Sequence, residues 1–268
     1  MLRYCSVKEK LSDRMCTDKS MDILPEFSSV SRRKMITKKE ILDAIHGKMI
    51  ISCQAVEDEP LYVEEKSIMY LMARAAKQAG TPAIRTSSIR DVIAIKEETG
   101  LPVIGLVKIQ YPGYEGYITP TMKEVDDLVA AGSDVVALDC TLRKRGDGIT
   151  VNEFIAQIKE KYPDIILMAD ISNYEEGVNA WKCGVDIVGT TMSGYTPHSV
   201  KLNGPDYELV KRLSETVDIP VIGEGRVHSP EDAVKMLETG AFAVVVGGAI
   251  TRPMEIATRF IKAVENRE

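Results

Sequence analysis

The sequence predicts an α/β fold in which eight strand–helix units close into one (β/α)8 TIM barrel. Eight short apolar runs alternate with helical segments over about 220 residues, and this alternation requires a parallel sheet. Nearly all of the runs end on a polar residue or a glycine at their carboxyl end. The alternative, a doubly wound open sheet, usually carries a G-x-G-x-x-G turn after its first strand. The first run here ends in Ser52-Cys53-Gln54-Ala55, which lacks that turn.

The predicted strands are short runs rich in Val and Ile. The third run, from Leu101 to Lys108, has six apolar or glycine residues among its eight, which indicates a strand buried on both faces. It ends on a lysine, and a charge at the end of a buried strand is costly unless it is solvated, paired or useful. The strands are predicted at residues 49–54, 82–85, 101–108, 134–139, 165–170, 186–190, 219–224 and 243–247.

The predicted helices are bounded by capping residues and glycine stops. Thr37 and Glu40 have the spacing of a capping box, so we expect a first helix that closes the bottom of the barrel. Ser88 and Ser229 are further N-cap residues, and Gly100 is typical of a C-terminal stop. The helices are predicted at residues 37–46, 64–79, 88–98, 121–131, 151–161, 173–182, 205–216, 230–240 and 253–264.

Residues 1–34 differ from the rest of the chain, because they are mixed polar and show neither helical nor strand periodicity. We expect this segment to be disordered or a non-native N-terminal extension. Residues 35–268 are then expected to form the single barrel domain. The alternative is a folded extension that covers the barrel.

Composition and charge argue against several classes of function. A net charge of −6 and a pI near 5.3 are unlike a general nucleic-acid-binding protein or a polybasic membrane protein. No run approaches the roughly 18 apolar residues of a membrane span, and we see no secretory signal. The five cysteines have no C-x-x-C spacing, so we expect reduced thiols in a cytoplasmic protein. The three histidines are far apart, which argues against a metal site.

The carboxyl ends of the predicted strands collect polar side chains. In a (β/α)8 barrel these ends form the active face. A barrel with a purely structural role has no reason to gather Arg, Lys, Asp and Glu around one mouth. The alternative is that these residues are polar only because every strand has to reach the protein surface at its end. The residues at the strand ends are Gln54, Arg85, Lys108, Asp139, Asp170, Thr190, Thr191, Glu224, Gly247 and Gly248.

A phosphate site is predicted where the eighth strand runs into Gly247 and Gly248 and then into a helix. Glycines let backbone N–H groups approach an anion, and a helix N-terminus carries partial positive charge toward it. Barrel enzymes often hold phosphate between strands seven and eight, so we expect Gly225 and Arg226 to supply the other half. Arg252 is expected to clamp the same anion. The alternative is a tight turn that needs glycine only for its geometry.

Lys108 and Glu224 close strands three and seven, which face each other across an eight-stranded barrel. The pair suits proton transfer if burial and cations such as Arg85 lower the lysine pKa and burial raises the glutamate pKa. One alternative is a structural salt bridge across the mouth, and another is a lysine that forms a Schiff base, as in class I aldolases. A third alternative is that the protein is a non-catalytic sugar-phosphate sensor built on a barrel.

Several strings carry a family resemblance, and they occur in one order between about Met35 and the C-terminus. They are Ile51-Ser-Cys-Gln-Ala55 with Glu59-Pro-Leu61, Ala83-Ile-Arg85, Leu101-Pro-Val-Ile-Gly-Leu-Val-Lys108, Ile118-Thr119, Ala137-Leu-Asp-Cys-Thr141, Met168-Ala-Asp170, Gly189-Thr-Thr-Met-Ser-Gly-Tyr-Thr196, Glu224-Gly225 and Gly247-Gly-Ala-Ile-Thr-Arg-Pro253. Together they resemble the N-acylglucosamine-6-phosphate 2-epimerases. That family interconverts N-acetylmannosamine 6-phosphate and N-acetylglucosamine 6-phosphate in bacterial sialic acid catabolism. The ribulose-phosphate 3-epimerase type, another barrel, needs a metal cluster with histidine, and no histidine stands at a strand end here.

The resemblance implies a metal-independent barrel without a cofactor, and it gives roles to the matching residues. Lys108 matches the catalytic base, and Glu224 matches the residue that assists proton transfer. The expected substrate contacts are Gln54, Arg85, Asp170, Thr191 and Tyr195. The expected phosphate contacts are Gly225, Gly247, Gly248 and Arg252. Cys140 and Met192 depart from the common family residues Ala and Leu, and neither position touches a catalytic assignment.

The implied reaction inverts C2 of a phosphorylated N-acetylhexosamine. Lys108 would remove the C2 proton of the ring-opened sugar, and Glu224, its water or Lys108 itself would return one on the opposite face. The sequence leaves open whether one or two bases act, and whether Asp139 orients Lys108 or caps the neighbouring loop. The expected partners are the sugar phosphate and a second copy of the chain, with no nucleic acid and no membrane.

Overall fold

The computed structural model describes residues 36–57, 59–65 and 67–267, and they contain a closed barrel of eight parallel strands. Each strand pairs with the next along the chain, and β8 pairs with β1, where Met49 lies opposite Val244. The predicted (β/α)8 fold is therefore confirmed. The prediction for residues 1–34 lies outside the described residues. Among those that are described, no helix is both long and apolar enough to cross a membrane.

The elements alternate as expected. The strands are β1 Met49–Ser52, β2 Ile84–Ser87, β3 Val103–Leu106, β4 Val135–Asp139, β5 Ile166–Asp170, β6 Ile187–Gly189, β7 Val221–Glu224 and β8 Ala243–Val246. The helices are α1 Lys38–Ile45, α2 Met69–Gln78, α3 Ile89–Thr99, α4 Met122–Ala130, α5 Val151–Lys161, α6 Tyr174–Lys182, α7 Tyr207–Ser214, α8 Pro230–Glu238 and α9 Pro253–Glu265.

Helix α1 closes the amino-terminal end of the barrel. The capping box of Thr37 and Glu40 is present and starts the helix. Ile41 and Ile45 are almost fully buried and belong to the same cluster as the inward side chains Ile50 and Ile104 of β1 and β3. Burial of each isoleucine stabilises the fold by roughly 1.5–3 kcal/mol. The expected plug at the bottom of the barrel is therefore confirmed.

Side chains alternate between the interior of the barrel and the helical layer, because successive residues of a strand point to opposite faces. In β5, Ile166 and Met168 lie in the interior cluster, whereas Leu167 packs in the outer one. The same alternation turns Asp170 inward. The apolar interior therefore ends, at the carboxyl ends of the strands, in a layer of inward polar side chains.

Two predicted helix starts were wrong. Helix α2 begins at Met69 rather than at residue 64, because the Arg90 guanidinium takes the carbonyl oxygens of Val63 and Glu64. These carbonyls are therefore not free to accept helical hydrogen bonds. Helix α7 begins after Asp206, whose carboxylate accepts a hydrogen bond from the Leu209 N–H at 3.0 Å. An Asp cap of this kind defines the helix start more strongly than the proline before it.

The third strand ends earlier than predicted, and this changes how Lys108 is held. Strand β3 stops at Leu106, and Lys108 lies beyond it in an antiparallel bridge to Ile118. The Thr119 hydroxyl donates to the Ala137 carbonyl at 2.7 Å and accepts from the Val107 N–H at 3.2 Å. Thr119 is fully buried and has a φ of +48°, a conformation that is uncommon for a residue other than glycine. Its hydrogen bonds therefore join the Lys108 segment to β4.

Candidate active site

An arginine that is almost completely buried lies at the centre of the mouth. Arg85 is inward on β2, which continues two residues past it to Ser87. Its Nη2 donates to Asp170 Oδ2 at 2.6 Å, and its Nε lies 3.4 Å from Glu224 Oε2. The side chains of Arg85 and Asp170 are 1% and 0% exposed. Charges this deep are tolerated only when they are paired, so one guanidinium compensates two carboxylates.

Thr191 connects the same two carboxylates from the end of β6. Its Oγ1 lies 2.6 Å from Asp170 Oδ1 and 3.2 Å from Glu224 Oε2. Arg85, Asp170, Thr191 and Glu224 therefore form one connected cluster, contributed by four different strands or strand ends. The sequence predicted all four as site residues, and the structure brings them together.

Lys108 is half-buried beside this cluster but takes no part in its hydrogen bonds. Within the described chain, its ammonium has no ion-pair or hydrogen-bond partner. Burial lowers the pKa of Lys108 to about 8, and the positive charges of Arg252 and Arg85 act in the same direction. Glu224 and Glu59 oppose this shift in the pKa. The alternative of a structural Lys108–Glu224 salt bridge therefore does not fit the structure.

The pKa of the Glu224 carboxyl is shifted in the opposite direction, upward. Burial raises the pKa of Glu224, the guanidinium of Arg85 opposes that rise, and the neighbouring carboxylate of Asp170 adds to it. A lysine with a lowered pKa and a glutamic acid with a raised pKa thus lie at one mouth. Such a pair can exchange protons with a bound molecule near neutral pH.

Two buried polar atoms at the mouth make no hydrogen bond within the described chain, although one of them, Arg85 Nε, has Glu224 as its ion-pair partner. Among the described residues, neither Gln54 Oε1 nor Arg85 Nε makes a hydrogen bond, although both atoms are inaccessible. The Gln54 amide nitrogen donates to Ser52 Oγ at 2.9 Å, which fixes the orientation of its carbonyl oxygen. Buried polar groups are normally satisfied, so Gln54 Oε1 is a candidate acceptor for a polar group of a ligand.

The Gly247–Gly248 turn has the features of an anion site. The N–H groups of these two glycines donate no hydrogen bond within the described chain. Neither has a positive φ, so the backbone conformation alone does not demand glycine. A Cβ on Gly248 would lie 2.2 Å from a carboxylate oxygen of Glu255, which is the end of a flexible side chain, and one on Gly247 would lie 3.3 Å from Ser52 Cβ. These contacts fit the alternative, a tight turn that needs glycine only for its geometry, as well as an anion site.

Arg252 follows this turn as the N-cap of α9. Its Nε lies 3.0 Å from Glu59 Oε1, and its Nη1 donates to Glu255 Oε1 at 3.0 Å. Two carboxylates therefore compensate its charge and fix the position of the guanidinium. Arg252 and Lys108 also lie close enough for the arginine to lower the lysine pKa.

The expectation that Arg226 completes the phosphate site was wrong. Its guanidinium donates instead to the carbonyls of Ser193 and Gly204, which fastens the loop after β6. Folding of the loop after β6 brings these two carbonyls together, and no sequence pattern near Arg226 predicts that they lie within its reach. Gly225 beside it has a φ of +110°, which by itself accounts for a glycine at that position.

Comparison with known proteins identifies the family. A family model described as "Putative N-acetylmannosamine-6-phosphate epimerase" matches residues 69–266. This chain belongs to that family. A relative from Caldanaerobacter subterraneus subsp. tengcongensis, named "Putative N-acetylmannosamine-6-phosphate 2-epimerase", is 53% identical over 85% of this chain and 95% of its own length. One of the same name from Clostridioides difficile (strain 630) is 48% identical, over 84% of this chain and 99% of its own.

A solved structure, that of the N-acetylmannosamine-6-phosphate 2-epimerase from Clostridium perfringens, is 49% identical to this chain with a TM-score of 0.79. The match covers 83% of this chain and 96% of that chain. A thiamine phosphate pyrophosphorylase from Pyrococcus furiosus has 21% identity and a TM-score of 0.52, and that likeness shows the barrel fold alone.

Within this epimerase-family barrel, the structure resolves the open question about Asp139. Its Oδ1 accepts from the Thr141 hydroxyl at 2.6 Å, and its Oδ2 accepts from Arg143 Nη2 at 2.7 Å. Asp139 therefore caps the loop after β4 and does not bind Lys108. Tyr195 is 59% exposed at the rim, with the Arg226 guanidinium 5.5 Å from its ring, and within the described chain it makes no hydrogen bond to the Arg85 cluster.

Sequence reasoning missed Tyr117. The residue follows the Lys108 bridge, and its hydroxyl donates only a weak, 3.8 Å hydrogen bond to Met192 Sδ. Burial raises the pKa of Tyr117, and the nearby carboxylates of Asp139 and Asp170 add to that rise. The tyrosines around the Ile118-Thr119 string were the available signal, but only the folded loop brings one of them to the mouth.

No group of three potential metal ligands occurs among the described His, Cys, Asp and Glu residues.

The buried ion pair predicts a large loss of stability on substitution of Arg85. Arg85→Met leaves Asp170 and Glu224 buried without their countercharge, and we expect the free energy of unfolding to fall by about 3–5 kcal/mol. Urea unfolding at neutral pH measures this change. The matched control is Arg74→Met, whose partner Glu98 lies on the surface, and for this variant we expect a much smaller loss because solvent screens an exposed pair. Equal losses in the two variants would contradict the prediction.

Proposed function

We propose that this protein interconverts N-acetylmannosamine 6-phosphate and N-acetylglucosamine 6-phosphate, as a carbohydrate epimerase of the isomerase class. The observation that carries the proposal is the unpaired, half-buried Lys108 with a pKa of about 8, next to a glutamic acid with a raised pKa. Both lie at the carboxyl end of a barrel that belongs to the epimerase family. Sialic acid catabolism is the metabolic setting that fits this family.

The chemistry begins at C2 of the ring-opened sugar, because the C2 proton is acidic only when C1 is an aldehyde. Neutral Lys108 removes that proton, and an enolate forms with its charge on O1. The buried guanidinium of Arg85 supplies a fixed positive charge for that oxygen. Return of a proton to the opposite face of C2 completes the inversion. The raised pKa of Glu224 suits it to deliver that proton, directly or through water.

The remaining site residues bind the substrate in this proposal. The unsatisfied Gln54 Oε1 accepts a hydrogen bond from a sugar N–H or hydroxyl group. The free N–H groups of Gly247 and Gly248, the Gly225 backbone and the Arg252 guanidinium receive the phosphate. Tyr195 contacts the sugar only from the rim, because its side chain is exposed.

Proton NMR in deuterated water tests the function directly. We expect the wild-type protein to convert N-acetylmannosamine 6-phosphate and to replace the C2 proton by deuterium, because the proton returned to C2 comes from a group that exchanges with solvent. Lys108→Ala should abolish both processes while still binding the sugar phosphate. Lys211→Ala, an exposed lysine on α7, is the control and should behave as wild type. C2 exchange that persists in Lys108→Ala would remove Lys108 as the base.

The role of Arg252 is tested by calorimetric binding to the inactive Lys108→Ala protein. Adding Arg252→Gln should weaken binding of the phosphorylated sugar by roughly 10- to 100-fold, the worth of a charge-assisted hydrogen bond. Unphosphorylated N-acetylmannosamine serves as the control ligand, and its affinity should not depend on Arg252. A loss that is equal for the two ligands would contradict a phosphate contact.

A homodimer is the oligomeric state we propose. Helix α9 has no buried residue along its 13 positions and leaves Met254, Phe260, Ile261 and Val264 exposed. A second copy carries the same apolar face, so a twofold contact covers both faces at once. Sedimentation velocity should show a dimer at micromolar concentration and a monomer for Phe260→Glu. Val234→Glu, on the exposed side of α8, should remain dimeric. A monomeric wild type would overturn the proposal.

We also propose a cytoplasmic location. The described cysteines Cys53, Cys140 and Cys183 are free thiols, and burial raises the pKa of Cys53 to about 12, which keeps it protonated. Epimerase activity recovered mainly outside the cytoplasmic fraction of the source cells would contradict this location.

A further inference from the structure

We propose that Thr191 is a positioning residue for Glu224 and not a ligand of the sugar. The inference deepens the proposed epimerase function and rests on it. It also replaces the sequence-based expectation that Thr191 touches the substrate.

The donor capacity of the Thr191 hydroxyl is already used. A threonine hydroxyl has one proton to donate, and here Asp170 Oδ1 lies 2.6 Å away to receive it. Glu224 Oε2 lies 3.2 Å from the same oxygen. The one proton of the hydroxyl is shared between these two carboxyl oxygens, with the shorter contact to Asp170. The hydroxyl is therefore placed between the two carboxyl groups and not toward a ligand.

The neighbouring Thr190 fixes the backbone of the same glutamate. Its hydroxyl donates to the Glu224 carbonyl at 2.9 Å and accepts from the Glu224 N–H at 3.0 Å. Thr190 is fully buried. Two consecutive hydroxyls at the end of β6 thus hold both the main chain and the carboxyl of one residue on β7.

Fixing the Glu224 carboxyl in one orientation favours proton transfer to C2. A group that delivers a proton must be within hydrogen-bonding reach of the carbon centre in the right orientation, and a misplacement of about 1 Å can cost on the order of 100-fold in rate. Arg85 Nε, at 3.4 Å, holds Glu224 only loosely. Thr191 adds the second contact that selects one carboxyl orientation.

Thr191 also adjusts the protonation of Glu224. The charged groups that face this carboxyl are Arg85 on β2, Lys108 after β3 and Asp170 on β5. The Thr191 hydrogen bond works with Arg85 and Lys108 to lower the pKa of Glu224, against burial and Asp170. Loss of the hydroxyl therefore raises the pKa of Glu224, and the limb of the pH profile that reports this group moves to higher pH.

The test compares Thr191→Val with Thr191→Ser. Valine keeps the shape and removes the hydroxyl, whereas serine keeps the hydroxyl. We expect Thr191→Val to lower kcat by at least about 10-fold with little change in KM, and to shift one limb of the pH profile to higher pH. Thr191→Ser should restore most of kcat and the wild-type profile. Thermal unfolding of both variants shows whether they are folded.

Each outcome decides between the roles. A rise in KM at unchanged kcat and an unchanged pH profile would make Thr191 a sugar ligand and overturn the inference. Wild-type kinetics in Thr191→Val would also overturn it. Absence of epimerase turnover in the wild-type protein is a different result, because it removes the proposed function before any variant is compared.

Discussion

The buried ion pair between Arg85 and Asp170 is the interaction on which the mouth of this barrel depends. Its atoms are 2.6 Å apart in a place that water does not reach. Burial of either charge alone would cost several kcal/mol, so each requires the other. Since the planar guanidinium also reaches Glu224, the two acids are accommodated by one cation, with Thr191 between them. Among the residues that the structure describes, Lys108 is consequently left without a carboxylate partner.

The two proton-transferring groups are held in different ways. Lys108 is placed through its backbone, by the bridge to Ile118 and by the hydrogen bonds of Thr119, so its side chain needs no salt bridge. Glu224 is placed through both its backbone and its carboxyl, by the hydroxyls of β6. A free ammonium in a half-buried, cation-rich place has a lowered pKa, and this is what a lysine needs to act as a base near pH 7.

Local sequence patterns were sufficient for the fold and for most of the mouth. The capping residues Thr37 and Ser88 mark helix starts that the structure confirms, because caps act within one helical turn. The polar residues at the strand ends converge because parallel strands share one carboxyl edge. The inward direction of Arg85, Asp170 and Glu224 follows from the two-residue period of a strand.

The features that the sequence could not show depend on loops that return from a distance. Nothing near Arg226 predicts that the carbonyls of Ser193 and Gly204 capture its guanidinium. The partner of Asp139, and the place of Tyr117 at the mouth, likewise depend on how the loops after β3 and β4 fold. The start of α2 was misjudged because Arg90, a residue of the next unit, takes the carbonyls that precede the helix.

The pKa of Lys108 in the free protein is the most direct measurement of whether this mouth creates a base. The rate of acetylation of Lys108 by acetic anhydride, followed across pH by mass spectrometry of its peptide, reports the neutral fraction of this one amine. The structure predicts a midpoint at about pH 8, and Lys108 would then be neutral in roughly one molecule in ten at pH 7. A midpoint at the ordinary lysine value of about 10.4 would contradict the role of Lys108 as the C2 base.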